Sequence, residues 1–400
     1  MQIASQASLR ILAVIETIGI GGGAEQLLLT LLPELAALGH RPEIIAVSDW
    51  TPDLAPDFLE RGIPVHYLHQ QGRSAFLGSV PGLRRIIASA PCDIVWGHSR
   101  ISSMANRLAC IGRPDLVQVV TLHSEGYARA GKLPLRARAT TTLEKLLLTQ
   151  PTKVAVSAAV ARDYENFFGW RDIPIIHNCF DASNLPPELT AEQKAALRTQ
   201  YGAGPDDLVL LVPARFVQKK GYPVLIEALS RLQSTRGWSP LVLCFGHGPL
   251  KDEVERAAFE RGLRMQIHQS VRQQDLFRII RAVDGVVLPS LREPFGIAAL
   301  EAMTLGAPLI VSFVDGLREI VERRDCALTA PPGDAGLLAD AIWELRQRPA
   351  DVQRRRANAL VVAQEYQPAN AARQWSALFR NLLKRALEPV VAASLPGRDK

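Results

Sequence analysis

From about residue 10 to residue 330, short runs of β-branched and apolar residues alternate with longer stretches whose apolar residues recur at helical spacing. "RILAVIE" is followed by "AEQLLLTLLPELAALG", and then come "EIIAVS", "CDIVWGHS", "LVQVVTLHS", "TKVAVS" and "IPIIHN". This is the βαβ rhythm of a parallel sheet with helices on both faces. It falters between about 181 and 205, where "NLPPELTAEQKAALRTQYGAGPDD" is Pro-rich, then polar and helical, then Gly-Pro. It resumes with "LVLLVPARF", "PLVLCFG", "RMQIHQSV", "GVVLPS" and "APLIVSFV", a second parallel sheet. Single cores stop growing at ~250–300 residues, so a chain of 400 residues is expected to form two domains. The joint is placed near the start of the faltering stretch.

Composition narrows the classes. A formal charge of +6 favours anionic ligands but is too small and too dispersed for nucleic acid. No zinc-finger or RNP-like pattern occurs, and no His/Asp/Glu cluster has metal-ligand spacing. The five cysteines, Cys92, Cys110, Cys179, Cys244 and Cys326, are odd in number and far apart, which reads as reduced thiols in a cytoplasmic protein. The N-terminal apolar run is interrupted by Glu16 and then by glycines, and it reads as a first strand rather than a signal peptide or a membrane span.

In doubly wound sheets, ligands bind in the crevice at the carboxyl ends of the strands. With two such domains the crevice lies between them, so the residues just after strands matter. After the first strand, Gly19, Gly21 and Ala24 fit a loose G-x-G-x-x-A, with Asp49 further on. That spacing admits a dinucleotide, and equally a turn pressed against some other ligand. In the second half, Arg215 and Lys220 follow a strand and precede a helix, which makes either an anion site or two solvated cations. Gly246, Gly248 and Pro249 follow the next strand and permit either close backbone approach or a simple turn. In "VVLPSLREPFGIAALEAMTLG", Glu293 lies in a loop, Pro294-Phe295-Gly296 leads into a helix, and Glu301 sits on it. A capping role accounts for Glu293 but poorly for Glu301, which interrupts an apolar helix.

Together these motifs resemble those of the GT-B glycosyltransferases of family 4, the retaining, glycogen synthase-like group. "SLREPFGIAALEA" is similar to that family's E-x7-E, and "ARFVQKKG" to its G-R-x4-K-G with Ala214 for the first glycine. "GHGP" resembles its G-x-G-P turn, "VDGLREIV" its G-G-x-x-E-I-V stretch, and "GIGGGAEQLLLTLLPELAALGH" its opening Gly-Gly loop and first helix. "TLHS", "AVSAAV" and "IIHN" sit where the family has H-D, S-x-x-v and x-x-N-G, with Ser124 for Asp and Cys179 for Gly. The strand "IHQSV" lacks the glycine common after it in the family.

The resemblance implies two facing Rossmann-like domains with an interdomain cleft. Residues 1–180 would form the acceptor-side domain and residues 181–365 the nucleotide-sugar domain. A helix over 366–387 would cross back, with Tyr366, Trp375 and Phe379 packing it, and 388–400 would be a tail. It implies a retaining, metal-independent hexosyl transfer from a nucleotide diphosphate sugar, with no cofactor. The absence of any D-x-D agrees with metal independence. Arg215 and Lys220 would carry the diphosphate, Glu293 the donor sugar and Glu301 the ribose. His123 would face the sugar from the opposite domain. The donor would also touch Gly22, Gly23, Gly246, Gly248, Pro294, Phe295, Gly296 and Ile297. A NAD-dependent oxidoreductase, a same-fold epimerase and a silent nucleotide-sugar-binding protein are the competing readings.

Among the other histidines, His98 also ends a strand and borders the crevice, and His40 reads as a cap on the first helix. Residues 128–149 carry Arg129, Lys132, Arg136, Arg138 and Lys145 against Glu144, five positive charges to one negative, interleaved with Leu133, Leu135 and Leu143. Two readings stand. One is a solvated loop and an ordinary helix whose leucines face the core. The other is contact with an anionic surface at the inner face of the cell membrane, which would make the acceptor lipid-linked, as in surface-polysaccharide assembly.

Overall fold

Among the described residues, twelve strands form two separate parallel sheets. The first contains β1 (Arg10–Ile15), β2 (Arg41–Ala46), β3 (Val65–Tyr67), β4 (Ile94–Gly97), β5 (Val117–Leu122) and β6 (Thr152–Ala155), in the order β3-β2-β1-β4-β5-β6. The second contains β7 (Val209–Pro213), β8 (Leu241–Phe245), β9 (Met265–His268), β10 (Gly285–Leu288), β11 (Leu309–Ser312) and β12 (Leu328–Ala330), in the order β12-β11-β10-β7-β8-β9. This computed structural model describes residues 8–19, 23–72, 75–124, 135–183 and 185–387.

The two sheets share one winding. In each, the strand order reverses between the first strand and the fourth: β1 against β4, and β7 against β10. Such a switch point opens a crevice at the carboxyl ends of those two strands. In the first sheet the ends of β1 and β4 carry the glycine-rich stretch and His98. In the second, the ends of β7 and β10 carry Arg215–Lys220 and Ser290–Glu293. The topology alone therefore gathers motifs that lie about 70 residues apart.

Each sheet is buried on both faces, as parallel sheets are. β1, β4 and β10 are buried along their whole length. Val160, Ala161 and Tyr164, after β6, share one apolar cluster with Leu317, Ile320 and Val321, after β11, so a continuous core joins the halves. The chain crosses between the halves twice, and the crossings touch: Phe180 N donates to Tyr366 O at 3.0 Å. Beyond the second crossing, helix Pro368–Leu387 returns to the first sheet's core, where Ala372, Trp375 and Phe379 are buried. Trp375 packs against Trp96 of β4 with ring centroids 4.4 Å apart, and Phe379 lies 5.2 Å from the same ring.

His40 caps the first helix through its backbone: helix Gly23–Ala37 closes on Gly39 at φ 85°, and His40 N donates to Leu35 O at 3.2 Å. The buried His40 ring has a second role and links Leu9 N (3.3 Å) to Ser376 Oγ (2.8 Å) on the returning helix. Gly21, Gly22 and the 388–400 tail lie outside the described residues, as do Arg129, Lys132 and Leu133.

Candidate active site

The second sheet builds its half of the site by close backbone contact. After β7 the chain makes a 3-10 turn, Gln218–Lys220, and then Gly221 at φ 72°. A Cβ at Gly221 would run into the carbonyl oxygen of Pro289, at the end of β10. Only glycine fits both the positive φ and that approach. Leu291 N donates to Lys219 O at 2.8 Å, which sews the two loops together. Lys220 Nζ consequently lies 2.5 Å from Glu293 Oε2, with both side chains largely buried. Ser290 Oγ donates to the same carboxylate oxygen at 3.1 Å. Glu293 is further fixed through its backbone: its N–H donates to Asp315 Oδ2 (3.3 Å), and its carbonyl accepts from Gly316 N (3.0 Å).

Arg215, five residues before Lys220 on the same stretch, is exposed. A Cβ on Gly246 or Gly248 would meet the carbonyl of Ala214 or of Phe216, so the G-x-G-P turn lies directly on the Arg215 segment. Phe216 N donates to His247 O at 2.8 Å and locks the two together.

Gly296 takes φ 112° and leads into helix Ile297–Thr304 with no side-chain cap, so the first amides of that helix are open to an anion. Phe295 is buried beneath the loop and stacks on His177 with centroids 5.5 Å apart. Glu301 is buried one turn further on; burial pushes its carboxyl up to about 7, against the hydrogen bond from Gln273 Nε2 at 3.2 Å. A carboxyl poised there can both donate to and accept from a vicinal diol.

The first sheet contributes a different chemistry. His123 follows β5 and His98 follows β4, and the rings meet at 3.1 Å between His98 Nδ1 and His123 Nε2. Burial pulls His123 down to about 4 and, with His123 beside it, holds His98 well below its ordinary value. Both imidazoles are therefore neutral at pH 7, and one must donate to the other. Among the described residues, Nε2 of the buried His98 has no partner. An orphaned acceptor costs less than an orphaned N–H, so His98 Nδ1–H donating to His123 is the favoured arrangement. That leaves His123 with a proton on Nδ1. Gly23 opens the first helix, and the space for its Cβ lies 3.5 Å from Ile297 Cδ1, so the glycine loop meets the Glu293–Ile297 segment across the cleft.

The two halves are latched beside the site. Ser157 Oγ donates to Pro294 O at 2.6 Å and accepts from Val160 N at 3.1 Å, capping helix Ala158–Phe168. Glu319 accepts from Ala158 N (2.9 Å) and Ala159 N (2.8 Å) and lies 3.4 Å from His177 Nε2. Burial alone would raise the Glu319 carboxyl, but His177 and the two helix amides outweigh it and hold it below the usual carboxylate range.

The structure thus brings Lys220, Glu293, Pro294, Phe295, Gly296 and Ile297 together, with Arg215, Gly246 and Gly248 adjoining and Gly23 opposite. Gly22 lies outside the described residues. Ser290, Asp315, Ser157, Glu319 and Gln273 were not anticipated as site residues. Glu319 had one signal, its place in the "DGLREIV" stretch; Gln273 had none.

Two family models match the chain: "Glycosyltransferase Family 4" over residues 21–184 and "Glycosyl transferases group 1" over residues 193–360. The chain belongs to the group 1, family 4-like glycosyltransferases. Among relatives of this family, it is 30% identical over 237 residues to an uncharacterized glycosyltransferase of Methanocaldococcus jannaschii, covering 58% of this chain and 60% of that one. It is 29% identical over 256 residues to the lipopolysaccharide core biosynthesis glycosyltransferase LpsD of Rhizobium meliloti, covering 61% of this chain and 68% of the relative. The chain therefore spans less than two thirds of the first relative's length and about two thirds of the second's. Its fold matches that of Anabaena Alr3699/HepE in complex with UDP-glucose at a TM-score of 0.78 and 20% identity, covering 93% of this chain and 99% of that one. The architecture is that of the GT-B glycosyltransferases.

Proposed function

We propose that the protein transfers a sugar from a nucleotide diphosphate sugar to an acceptor, with retention at the anomeric carbon. The observation that carries this reading is the Lys220–Glu293 contact at 2.5 Å, set at the switch point of the second sheet, beside Arg215 and an uncapped helix N-terminus. Charge develops in two places during such a transfer: the leaving diphosphate becomes more negative and the sugar ring more positive. Lys220, Arg215 and the amides after Gly296 stabilise the first. Glu293 holds the sugar hydroxyls, and Glu301, with Gln273 behind it, holds the ribose. His123 contacts the sugar from the facing domain as a neutral hydrogen-bond donor. Retention follows from same-face attack within an ion pair, and no covalent intermediate is invoked. Closure of the cleft excludes water and limits donor hydrolysis.

The test is thermal-shift screening against UDP-, GDP-, ADP- and TDP-sugars, since a ligand that binds only the folded state raises its apparent stability. One nucleotide series should raise the melting temperature, and NAD(P) should not. A response to NAD(P) alone would overturn the reading.

A lipid-linked acceptor at an anionic membrane is the finer proposal, and one observation favours it. On helix Leu135–Leu147, Leu143 and Leu146 are 37% and 69% exposed rather than facing the core, and they stand beside exposed Arg138 and Lys145. Each Lys or Arg near such a surface contributes ~1 kcal/mol. Co-sedimentation with anionic liposomes should weaken with salt and with Arg138→Glu. Salt-independent binding, or none, would favour a soluble acceptor.

A further inference from the structure

The first sheet's crevice holds a feature that the donor chemistry does not use. Trp50 lies in the loop after β2 and is 54% exposed. That loop is pinned along the end of β1: Val47 N donates to Ile15 O (2.9 Å), Ser48 N to Glu16 O (2.8 Å) and Leu54 N to Ile18 O (2.9 Å). Gly19 and Asp53 form an antiparallel bridge, and Asp53 accepts both the Tyr67 hydroxyl and Ala55 N. The indole rests so closely on Gly19 that a Cβ there would collide with its five-membered ring. A large aromatic plate is thus held in place by backbone, while more than half of it faces solvent.

Its surroundings are acidic. Glu16 directly follows β1, and Glu25 lies in the first turn of helix Gly23–Ala37. Both are half-buried, and among the described residues neither meets a cation; Thr17 Oγ1 donates to Glu25 at 3.4 Å. Asp49, next to the tryptophan, is paired with His69 at 2.9 Å. A fixed aromatic face beside acceptor-only carboxylates is complementary to a pyranose. The ring's C–H face lies on the indole, and its hydroxyls donate to the carboxylates. An exposed tryptophan also suits a membrane interface, but four nearby carboxylates, Glu16, Glu25, Asp49 and Asp53, oppose an anionic one. The helix that carries Glu25 begins at Gly23, the residue that meets Ile297 across the cleft, so Glu25 lies two positions from the contact with the Glu293–Ile297 segment.

We propose that Trp50, with Glu16 and Glu25, forms a carbohydrate subsite for the acceptor, on which a pyranose ring stacks against the indole. The inference rests on the glycosyl-transfer reading and identifies the acceptor's recognised end as a sugar. The chain has six tryptophans, so ¹⁵N-labelled protein gives few indole N–H signals, and the one absent from Trp50→Phe belongs to Trp50. In the presence of UDP, a panel of methyl glycosides, maltose, cellobiose and lactose is titrated in. At least one sugar should move that signal saturably. Its affinity, measured by calorimetry, should fall about tenfold in Trp50→Ala and hold in Trp50→Phe, the size of one lost aromatic contact. The melting temperature checks that the alanine variant is folded, and Glu16→Gln/Glu25→Gln gives a second route to the same loss. A Trp50 signal that no sugar moves, or that moves only with phosphatidylglycerol vesicles, would overturn the subsite. A protein whose melting point no nucleotide sugar shifts would instead overturn the glycosyl-transfer reading itself.

Discussion

The ends of the two sheets share one topology and use it in opposite ways. At the β7/β10 switch point, charged side chains are paired and pinned: Lys220 on Glu293, Ser290 and Asp315 on Glu293, and glycines pressed to carbonyls. At the β1/β4 switch point, the imidazoles of His98 and His123 are neutral, and among the described residues His98 Nε2 lacks a partner and the half-buried Glu16 and Glu25 meet no cation. A nucleotide diphosphate has a fixed shape and charge, so a rigid cationic cradle suits it. An acceptor is met by hydrogen bonds and apolar faces, which tolerate substitution. On this view the second half is built for one ligand class, and the first half leaves room for acceptors of varied shape.

The largest effect that separates the halves is on folding. Trp375 belongs to the returning helix but is buried only against the first sheet. Trp375→Ala should cost ~3–5 kcal/mol, as large-to-small changes in cores do. The first half should then open before the second, so thermal unfolding should split into two transitions. Deletion from 388 should leave the melt unchanged, whereas deletion from 366 should behave like Trp375→Ala or worse. Equal melts for the two truncations would mean that the halves do not depend on that helix.

Next comes the charge pair. Lys220→Ala, Arg215→Ala and Glu293→Ala should each reduce turnover ~10²–10³-fold, typical for removal of one transition-state electrostatic donor. Lys220 and Glu293 touch, so their double variant should lose less stability than the sum of the singles, because each single leaves a buried partner charge uncompensated. Two of the three variants keeping wild-type turnover would place the diphosphate elsewhere. No comparable stability coupling is expected between His98 and His123, where no charge is left behind.

The imidazole pair of the first half and Glu301 of the second should also respond oppositely to pH. His123 is depressed to about 4, and His98 lies lower than its ordinary value, near 6.5. Between those limits the unfolded chain binds more protons than the folded one, so stability falls as pH drops from about 6.5 towards 4. Glu301 is raised to about 7 from an ordinary 4.5, so in the folded state it binds more protons across that range. Its contribution falls as pH rises from about 4.5 to 7. Glu144, raised to about 7 by burial despite Arg100, carries the same sign. Melting temperature against pH should lose its acid limb in a His98→Gln/His123→Gln variant, and should flatten on the neutral side in Glu301→Gln. Acid limbs of equal slope in wild type and the histidine double variant would show that the imidazoles are not buried neutral.

These contrasts follow how far apart in sequence the partners lie. The two winding patterns were legible because each strand and helix declares itself within a short stretch of residues. The E-x7-E and R-x4-K spacings were legible because each lies within one loop and helix. The Ser157–Pro294 and Glu319–Ala158 contacts were not, because they join residues 137 and 161 positions apart through ordinary Ser and Glu side chains. His98 and His123 each mark a strand end, but that one donates to the other depends on the β4–β5 register, which pairs Val95 with Gln118 and Trp96 with Val119. His40 read as a cap because it follows a helix-ending glycine; its partner Ser376 lies 336 residues away.

The smallest expected effect is none. Positive charge for the leaving diphosphate is proposed to come from Lys220, Arg215 and the open amides after Gly296, all from the second half. Lys220 sits on Glu293, so a diphosphate held by Lys220 competes with a carboxylate for the same ammonium. The exchange trades one charge-assisted contact for another, and Glu293 is released to accept sugar hydroxyls. A divalent ion bound between phosphate and protein would weaken that exchange, since it would satisfy the diphosphate before Lys220 could. Transfer should therefore proceed at the same rate in excess EDTA as without it, and added Mg²⁺ should leave donor affinity unchanged or slightly reduced. Loss of turnover on chelation, restored by Mg²⁺ or Mn²⁺, would mean that the second half does not supply the positive charge alone, and the contrast between a cationic cradle and a facing side that offers neutral imidazoles and carboxylates would have to be redrawn around a metal ion.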